Sequence, residues 1–539
     1  MNESKKLQAL IGPQESVRMM NAMQRGANRR DVLAMLMAGG MQATLAGSLA
    51  GLAGVAHAQT PRRGGRIRVA GSTAAVNDTL DPAKQSNQSD YTRCTMSYNG
   101  LTSLDGNLTP QPALAEEILT KDATTWVFKL RKGVQFHDGK PLTPADVVFS
   151  LMRHKDPATA SKAKALADQI DDVKASGPNE VTIKLKAPNA DFPVILGTFH
   201  FHIVKDGTTD FTAGIGTGPY KVKEFKPGVR SISVRNEGYW KPGRPYLDEI
   251  EYVGIGDEGA RVNALLSGDL DLVAAINPRS VQRIRDSAGH AIFESQSGLY
   301  TDLVMRRDAG PGANPDFVLA MKYMFDREQM KRSIALGHAV VANDQPIDPT
   351  NRFYFADLPQ RSFDLHKAKF HLQKANLGSS PVPIVTSQAA VYSVEMALVM
   401  QQTAQKLGLN LDVKRMPADG YWSNHWMKSP VGFGTVNPRP SADTLFTQFF
   451  KSDAAWNEAG WKNDRFDQLL LAARAETDDT KRRKMYADMQ VMVHEQGGIG
   501  IPLFLASIDA HSKKVKGLAP IPVGGLMGYA FAEHVWLEA

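Results

Sequence analysis

Trp126-Val127-Phe128-Lys129-Leu130-Arg131 alternates its side chains in the manner of a strand with one buried face. His137-Asp138-Gly139-Lys140 then turns the chain, and Thr143-Pro144-Ala145-Asp146 opens a helix. Thr143 can cap free N–H groups, Pro144 suits the first helical position, and Asp146 complements the positive end of the helix dipole. A strand, a turn and a capped helix in such close succession predict an α/β protein.

The pattern extends outward on both sides. Val181-Thr182-Ile183-Lys184-Leu185-Lys186 alternates again, and the strands Tyr220 to Phe225 and Ser231 to Arg235 flank Lys226-Pro227-Gly228 as a hairpin. Beyond about residue 300 the balance moves toward helices. Phe317, Met321, Met324 and Phe325 mark one apolar helix face, and Met485, Met489, Met492 and Val493 repeat that spacing after Thr480. Such stripes are core, and no ligand is assigned to them. Gly310-Pro311-Gly312, Pro381-Val382-Pro383 and Asn437-Pro438-Arg439-Pro440 read as loops. Without internal repeats or low-complexity tracts, the chain reads as two lobes.

Composition fits this picture. The 539 residues are 42% hydrophobic and 22% charged, ordinary for a globular protein of two or three domains. Lys+Arg is 63 and Asp+Glu 56, a net charge of +7. Six of the basic side chains but only three of the acidic ones fall within residues 1–58. The remainder therefore lacks the clustered basic excess of a nucleic-acid binder. The one cysteine, Cys94, cannot form an internal disulfide.

Residues 1–58 read as an export signal. Asn28-Arg29-Arg30-Asp31 precedes a stretch from Val32 to Pro61 without any Asp, Glu, Lys or Arg, and Ala56-His57-Ala58 offers a small-x-small cleavage pattern. Paired arginines and a glycine-rich, mildly apolar core favour the twin-arginine route, with cleavage after Ala58 and a mature chain in the periplasm. After Ala58 no stretch is long and apolar enough to suggest a membrane span.

Catalytic signatures are missing. There is no G-x-S-x-G, no G-x-x-x-x-G-K-[ST] and no H-E-x-x-H. Gly254-Ile255-Gly256-Asp257-Glu258-Gly259 has dinucleotide-loop spacing, but Asp257 and Glu258 would put negative charge where a pyrophosphate must sit. It reads instead as a turn into a helix over Ala260 to Leu266. His200 and His202, in Phe199-His200-Phe201-His202-Ile203, would share one face of a strand at a spacing that could hold a metal, with no third ligand near. No cofactor is implied. The marked feature is Tyr421-Trp422-Ser423-Asn424-His425-Trp426, followed by Arg439, Asp443, Trp456, Asn457 and Trp461; four of the seven tryptophans lie between 422 and 461. Aromatic faces beside one guanidinium and a few amides suit a small polar organic ligand.

A set of segments in consistent order resembles family 5 of the extracellular solute-binding proteins, the peptide, nickel and opine class that serves ABC importers. They include Leu80-Asp81-Pro82-Ala83, Phe128 to Gly139, Leu142 to Ser150, Gly216-Thr217-Gly218-Pro219-Tyr220, Asn236-Glu237-Gly238-Tyr239-Trp240, Leu265 to Asp271, Phe325-Asp326-Arg327-Glu328 and Phe363 to Lys369. The resemblance implies an α/β, two-lobed periplasmic binding fold of type II-like, large family 5 form, with a hinge and an interlobe ligand cleft. Lobe I would be 59–300 with a returning 505–539, and lobe II 301–504. The hinge would pass near Tyr300 to Met305 and Pro502 to Ala506.

The loop after Asp81-Pro82 lines the cleft in the family, which points to Ser86, Asn87 and Gln88. Trp422 resembles a tryptophan that walls the family's pocket. Peptide binders of the family hold the ligand's α-amino group with an aspartate in a Trp-x-Ala-Asp-Tyr segment. Here the corresponding stretch is Gly434 to Asp443, which lacks that Trp and Asp; Asp443 stands five residues past the aligned position. An acidic residue of some oligopeptide binders is likewise Ser86. A buried ammonium needs a carboxylate partner, so losing the aspartate and gaining Arg439 suggests an anionic ligand that Arg439 grips bidentately. The implied function is non-catalytic capture of a small organic solute, peptide-like or another carboxylate-bearing compound, with ABC permease subunits as partners and a monomer as default. The alternatives are a metal or metal-chelate receptor resting on His200 and His202, a twin-arginine-exported enzyme, and a sensory receptor.

Overall fold

The computed structural model describes residues 60–538; the expected export signal lies outside them. Strand Arg66–Gly71 runs parallel to Glu249–Gly254 and to Leu272–Val273, and the antiparallel hairpin Tyr220–Lys226 and Arg230–Arg235 extends that edge. Across Leu272–Val273 the sheet continues through Leu503–Ser512, His290–Met305, Val431–Val436, Val382–Ser387 and Leu411–Met416, so one twelve-stranded mixed sheet runs through the fold. Val382–Ser387 and Leu411–Met416 are parallel because helix Ser393–Lys406 carries the chain back between them.

The opening stretch of the sequence forms Thr125–Leu130, an inner strand of a separate four-stranded antiparallel sheet. Its buried Trp126, Phe128 and Leu130 pack with Val181, Ile183 and Leu185 on Val147 and Leu151 of helix Pro144–Met152. At that helix's start the Asp146 carboxylate accepts from both the N–H and the hydroxyl of Thr143, each at 2.7 Å. Phe317 and Met321 are fully buried in helix Pro315–Tyr323, as are Met489 and Val493 in Asp479–Gln496, in two cores of the C-terminal half.

Two sequence expectations change. Phe199–Phe201 is a 3-10 turn following helix Phe192–Leu196, not part of a strand. Alternation failed there because Phe201 is drawn into the core while Phe199 and His200 stay half-buried on another side. The shift toward helices near 300 conceals a sixteen-residue strand, His290–Met305. Its first part pairs with Ser507–Ser512, the register slips between Ser295 and Leu299, and Tyr300–Met305 then also pairs with Val431–Val436. Gly298 sits in the slip, where a Cβ would approach Asp348 Oδ2 to 2.8 Å.

Buried ions pin the C-terminal half. Asp344, wholly enclosed, forms an ion pair with Arg327 Nη2 at 2.7 Å and accepts from Arg361 Nε at 3.0 Å and the Ile501 N–H at 3.2 Å. Lys322 Nζ donates to the carbonyls of His494 and Gly497 at 2.9 and 2.8 Å, and burial pushes its pKa down to about 7. A second enclosed carboxylate, Asp191, accepts from Arg352 Nη2 at 2.8 Å and is ion-paired with Arg482 Nη2 at 2.7 Å, and the neighbouring Ala190 N–H donates to Arg474 O at 2.8 Å.

Candidate functional site

A cleft of about 1170 Å³ opens over the register slip, with Ser297, Leu299, Leu505 and Ser507 at its floor. One wall comes from residues 85–91 and 197–202 and the segment around Tyr529; the facing wall comes from Val391, Tyr392, Asn437 to Pro440 and Trp456. The volume exceeds what a typical drug-sized ligand needs.

Of the residues singled out in the sequence, Ser86, Asn87, Gln88, Arg439 and Trp456 line this cleft. Asn87 caps helix Gln88–Ser97: its Oδ1 accepts from the Ser89 and Asp90 N–H groups at 2.9 and 3.1 Å. Gln88 Oε1 accepts from Ser72 Oγ at 2.8 Å. The loop is anchored from below by Asp81, gripped bidentately by Arg153 at 2.8 Å through both Nη atoms. Arg439 donates from Nε to Gln448 Oε1 at 2.7 Å and from Nη1 to Asn437 O at 2.9 Å, and rests on the Phe449 ring at 5.3 Å. It has no carboxylate partner among the described residues.

The other candidates have structural work outside the cleft lining. Tyr421 is buried and donates to Phe433 O at 2.8 Å. Trp422 packs edge-on against Trp426, which in turn meets Trp456, so the cluster reaches the cleft only through Trp456. Asp443 is enclosed and paired with Arg474 at 2.9 Å. Asn457 donates to Trp461 O at 2.6 Å, closing its own loop, and Trp461 packs on Phe466 in the core.

His200 and His202 do line the cleft, but from the 3-10 turn and its end. Burial pushes their pKa values down to about 4 and about 3, so both are neutral at ordinary pH. His200 Nε2 lies 3.2 Å from Gln85 O. Among the described residues no group of three or more His, Cys, Asp or Glu side chains is placed to hold a metal ion. Asp257 caps helix Glu258–Leu266, its Oδ1 accepting from the Ala260 N–H at 2.7 Å, which occupies the end where a phosphate would have to sit.

Behind the Arg439 wall Asp302 and Glu458 are buried together with no cationic partner among the described residues; Asp302 Oδ1 and Glu458 Oε2 both lack a hydrogen-bond donor. The Trp426 Nε1–H faces Glu458 without reaching good hydrogen-bond geometry. Burial, and for Glu458 also repulsion from Asp302, holds both above the usual carboxylate range. The native state thus keeps protons that the unfolded chain releases near pH 4. Their contribution to stability is full below that pH and is lost as pH rises through the raised native values. Urea midpoints should therefore fall between pH 5 and pH 8, and Glu458→Gln should make that fall shallower. Asp443 and Asp509, each raised to about 6 mainly by burial, would sustain the rest. An identical pH profile in the variant would refute the role given to the Glu458 proton.

A two-lobed α/β fold with a solute-sized cleft lined by distant stretches of the chain is the architecture of the periplasmic binding proteins. The model for bacterial extracellular solute-binding proteins, family 5 Middle, matches residues 109–458. The chain belongs to this family, the substrate-binding proteins of ABC importers. It is 26% identical to heme-binding protein A of Haemophilus influenzae over 471 residues, covering 79% of this chain and 85% of that protein. It is 25% identical to the glutathione-binding protein GsiB of Escherichia coli over 468 residues, covering 83% and 91%. HbpA2 of Haemophilus parasuis shares the fold with a TM-score of 0.79 at 20% identity, covering 88% of this chain and 100% of that one.

Among the cleft residues that sequence reasoning missed are four rings, Tyr91, Phe199, Tyr392 and Tyr529. Tyr91 lies one turn beyond the Asn87 cap and was within reach of a helix-face argument. Nothing local marks the other three as neighbours.

Proposed function

We propose that the mature chain, beginning at Gln59 after periplasmic export, captures a small organic carboxylate in this cleft and hands it to the permease subunits of an ABC importer, acting as a monomer without catalysis. The observation that carries the carboxylate is Arg439: a half-buried guanidinium at the cleft with no anion of its own. Glu533, a cleft carboxylate from the C-terminal segment, is already paired with Lys241 at 2.7 Å and accepts from the Tyr239 hydroxyl at 2.9 Å. A ligand anion completes Arg439, as a carboxylate accepting a two-pronged donor does elsewhere.

The halves 59–300 with 505–539 and 301–504 act as lobes, hinged near Tyr300 to Met305 and Pro502 to Ala506, within the antiparallel pair His290–Met305 and Leu503–Ser512. Closure brings both walls to the solute at once, so binding shifts an open–closed population. Native mass spectrometry of exported protein tests the reading. Expected are a chain starting at Gln59 and a released small molecule bearing a carboxylate. A co-purified cation or neutral sugar would overturn the carboxylate assignment.

A further inference from the structure

The cleft carries an aromatic lining that the capture of an anion alone does not require. Tyr91 and Phe199 stack at 4.0 Å between centroids, and Tyr529 meets them at 5.2 and 5.5 Å. His200, neutral as described, adds a ring 4.7 Å from Phe199. The four rings come from three distant segments and stay partly exposed to the cleft. A ring cluster of that size would ordinarily be folded into a core.

Two backbone conformations point the same way. Tyr529 has φ +73° and Tyr392, on the facing wall, φ +60°. A left-handed backbone is unfavourable for a bulky side chain and persists only where surrounding structure enforces it, commonly at ligand clamps. Both residues line the cleft, Tyr392 with part of its side chain also packed on the core of the C-terminal half. Arg439 is near enough to the platform for its charge to act on the Tyr91 phenol.

We propose that the solute is a planar aromatic carboxylate, its ring system lying on the Tyr91–Phe199–Tyr529 platform and covered by Tyr392, with its carboxylate on Arg439. This rests on the reading of the cleft as a carboxylate site. The ring faces supply stacking that a saturated ring of equal size cannot match.

The test is a matched panel titrated into the mature protein by calorimetry: benzoate, cinnamate, 2-naphthoate and indole-3-acetate, the saturated cyclohexanecarboxylate and decalin-2-carboxylate, and di- and tripeptides. At least one aryl acid should bind more than tenfold tighter than its saturated counterpart and than any peptide. Tyr91→Ala should erase that preference and Tyr91→Phe keep it. Tyr529→Asn should also erase it while tolerating the left-handed backbone. Peptides or saturated acids binding as well as aryl acids, in an Arg439-dependent way, would overturn the aromatic class and leave the carboxylate site standing. Aryl acids binding with no loss in the tyrosine variants would overturn the platform. Silence of every acid in the panel would overturn both.

Discussion

Asp344→Ala should be among the most destabilising single substitutions in the chain, at about 3–5 kcal/mol, because it strands Arg327 and Arg361 in the interior. The argument is asymmetric. A buried ion pair can cost nearly as much desolvation as it returns in attraction, so its presence says little about net stability. Removing that carboxylate leaves Arg327 without an anion, Arg361 with only the more exposed Glu495 at 3.4 Å, and the Ile501 N–H without its side-chain acceptor. Lys322→Met is the informative contrast. It removes an ammonium already half inclined to give up its proton near pH 7 and keeps most of the apolar stem, so its loss should be well under half as large. Urea unfolding followed by tryptophan fluorescence measures both, and equal losses would show that the network does not depend on Asp344 as its common acceptor.

Arg439→Ala should weaken binding of the co-purified solute about a hundredfold, or roughly 3 kcal/mol. Its Nε and Nη1 are held by Gln448 and the Asn437 carbonyl, so the guanidinium is already oriented before ligand arrives. Little is lost in ordering it, which is why a large share of the charge-assisted contact reaches the measured affinity. Arg439→Lys keeps the charge but loses the planar fork and should recover only part of the loss. Calorimetry with both variants decides the matter: unchanged affinity in Arg439→Ala would remove the carboxylate from the proposal.

The secondary elements legible in the sequence are those whose signals are local. Thr143, Pro144 and Asp146 announce a helix start by their own chemistry, and the Trp126 and Val181 strands carry their face pattern within six residues. Phe199-His200-Phe201-His202 alternates equally well and is not a strand, because an apolar helix directly before it and a core pocket for Phe201 decide its path. The site shows the same division. Arg439 could be found from charge logic and Asn87 from its loop, whereas clustering in sequence promoted Trp422 and Trp426, whose rings pack on each other. Of the rings that reach the cleft, those at 91, 199, 392 and 529 come from distant stretches, and only the fold brings them to one cleft.

Asp191 belongs to the 59–300 half, while Arg352 and Arg482, which enclose it, belong to the other. In the proposed receptor it is a clasp across the two lobes. A clasp made of apolar surface would hold the empty protein shut, since water would resist its opening. One made of ions is different: on opening, each charge regains the hydration it gave up, so the two arrangements differ little in free energy. Such a protein rests near its tipping point, and a modest ligand can decide its shape. The measured dissociation constant then contains the fraction of time the empty protein spends closed. Affinity could therefore be raised or lowered from Asp191, without altering any atom the solute touches.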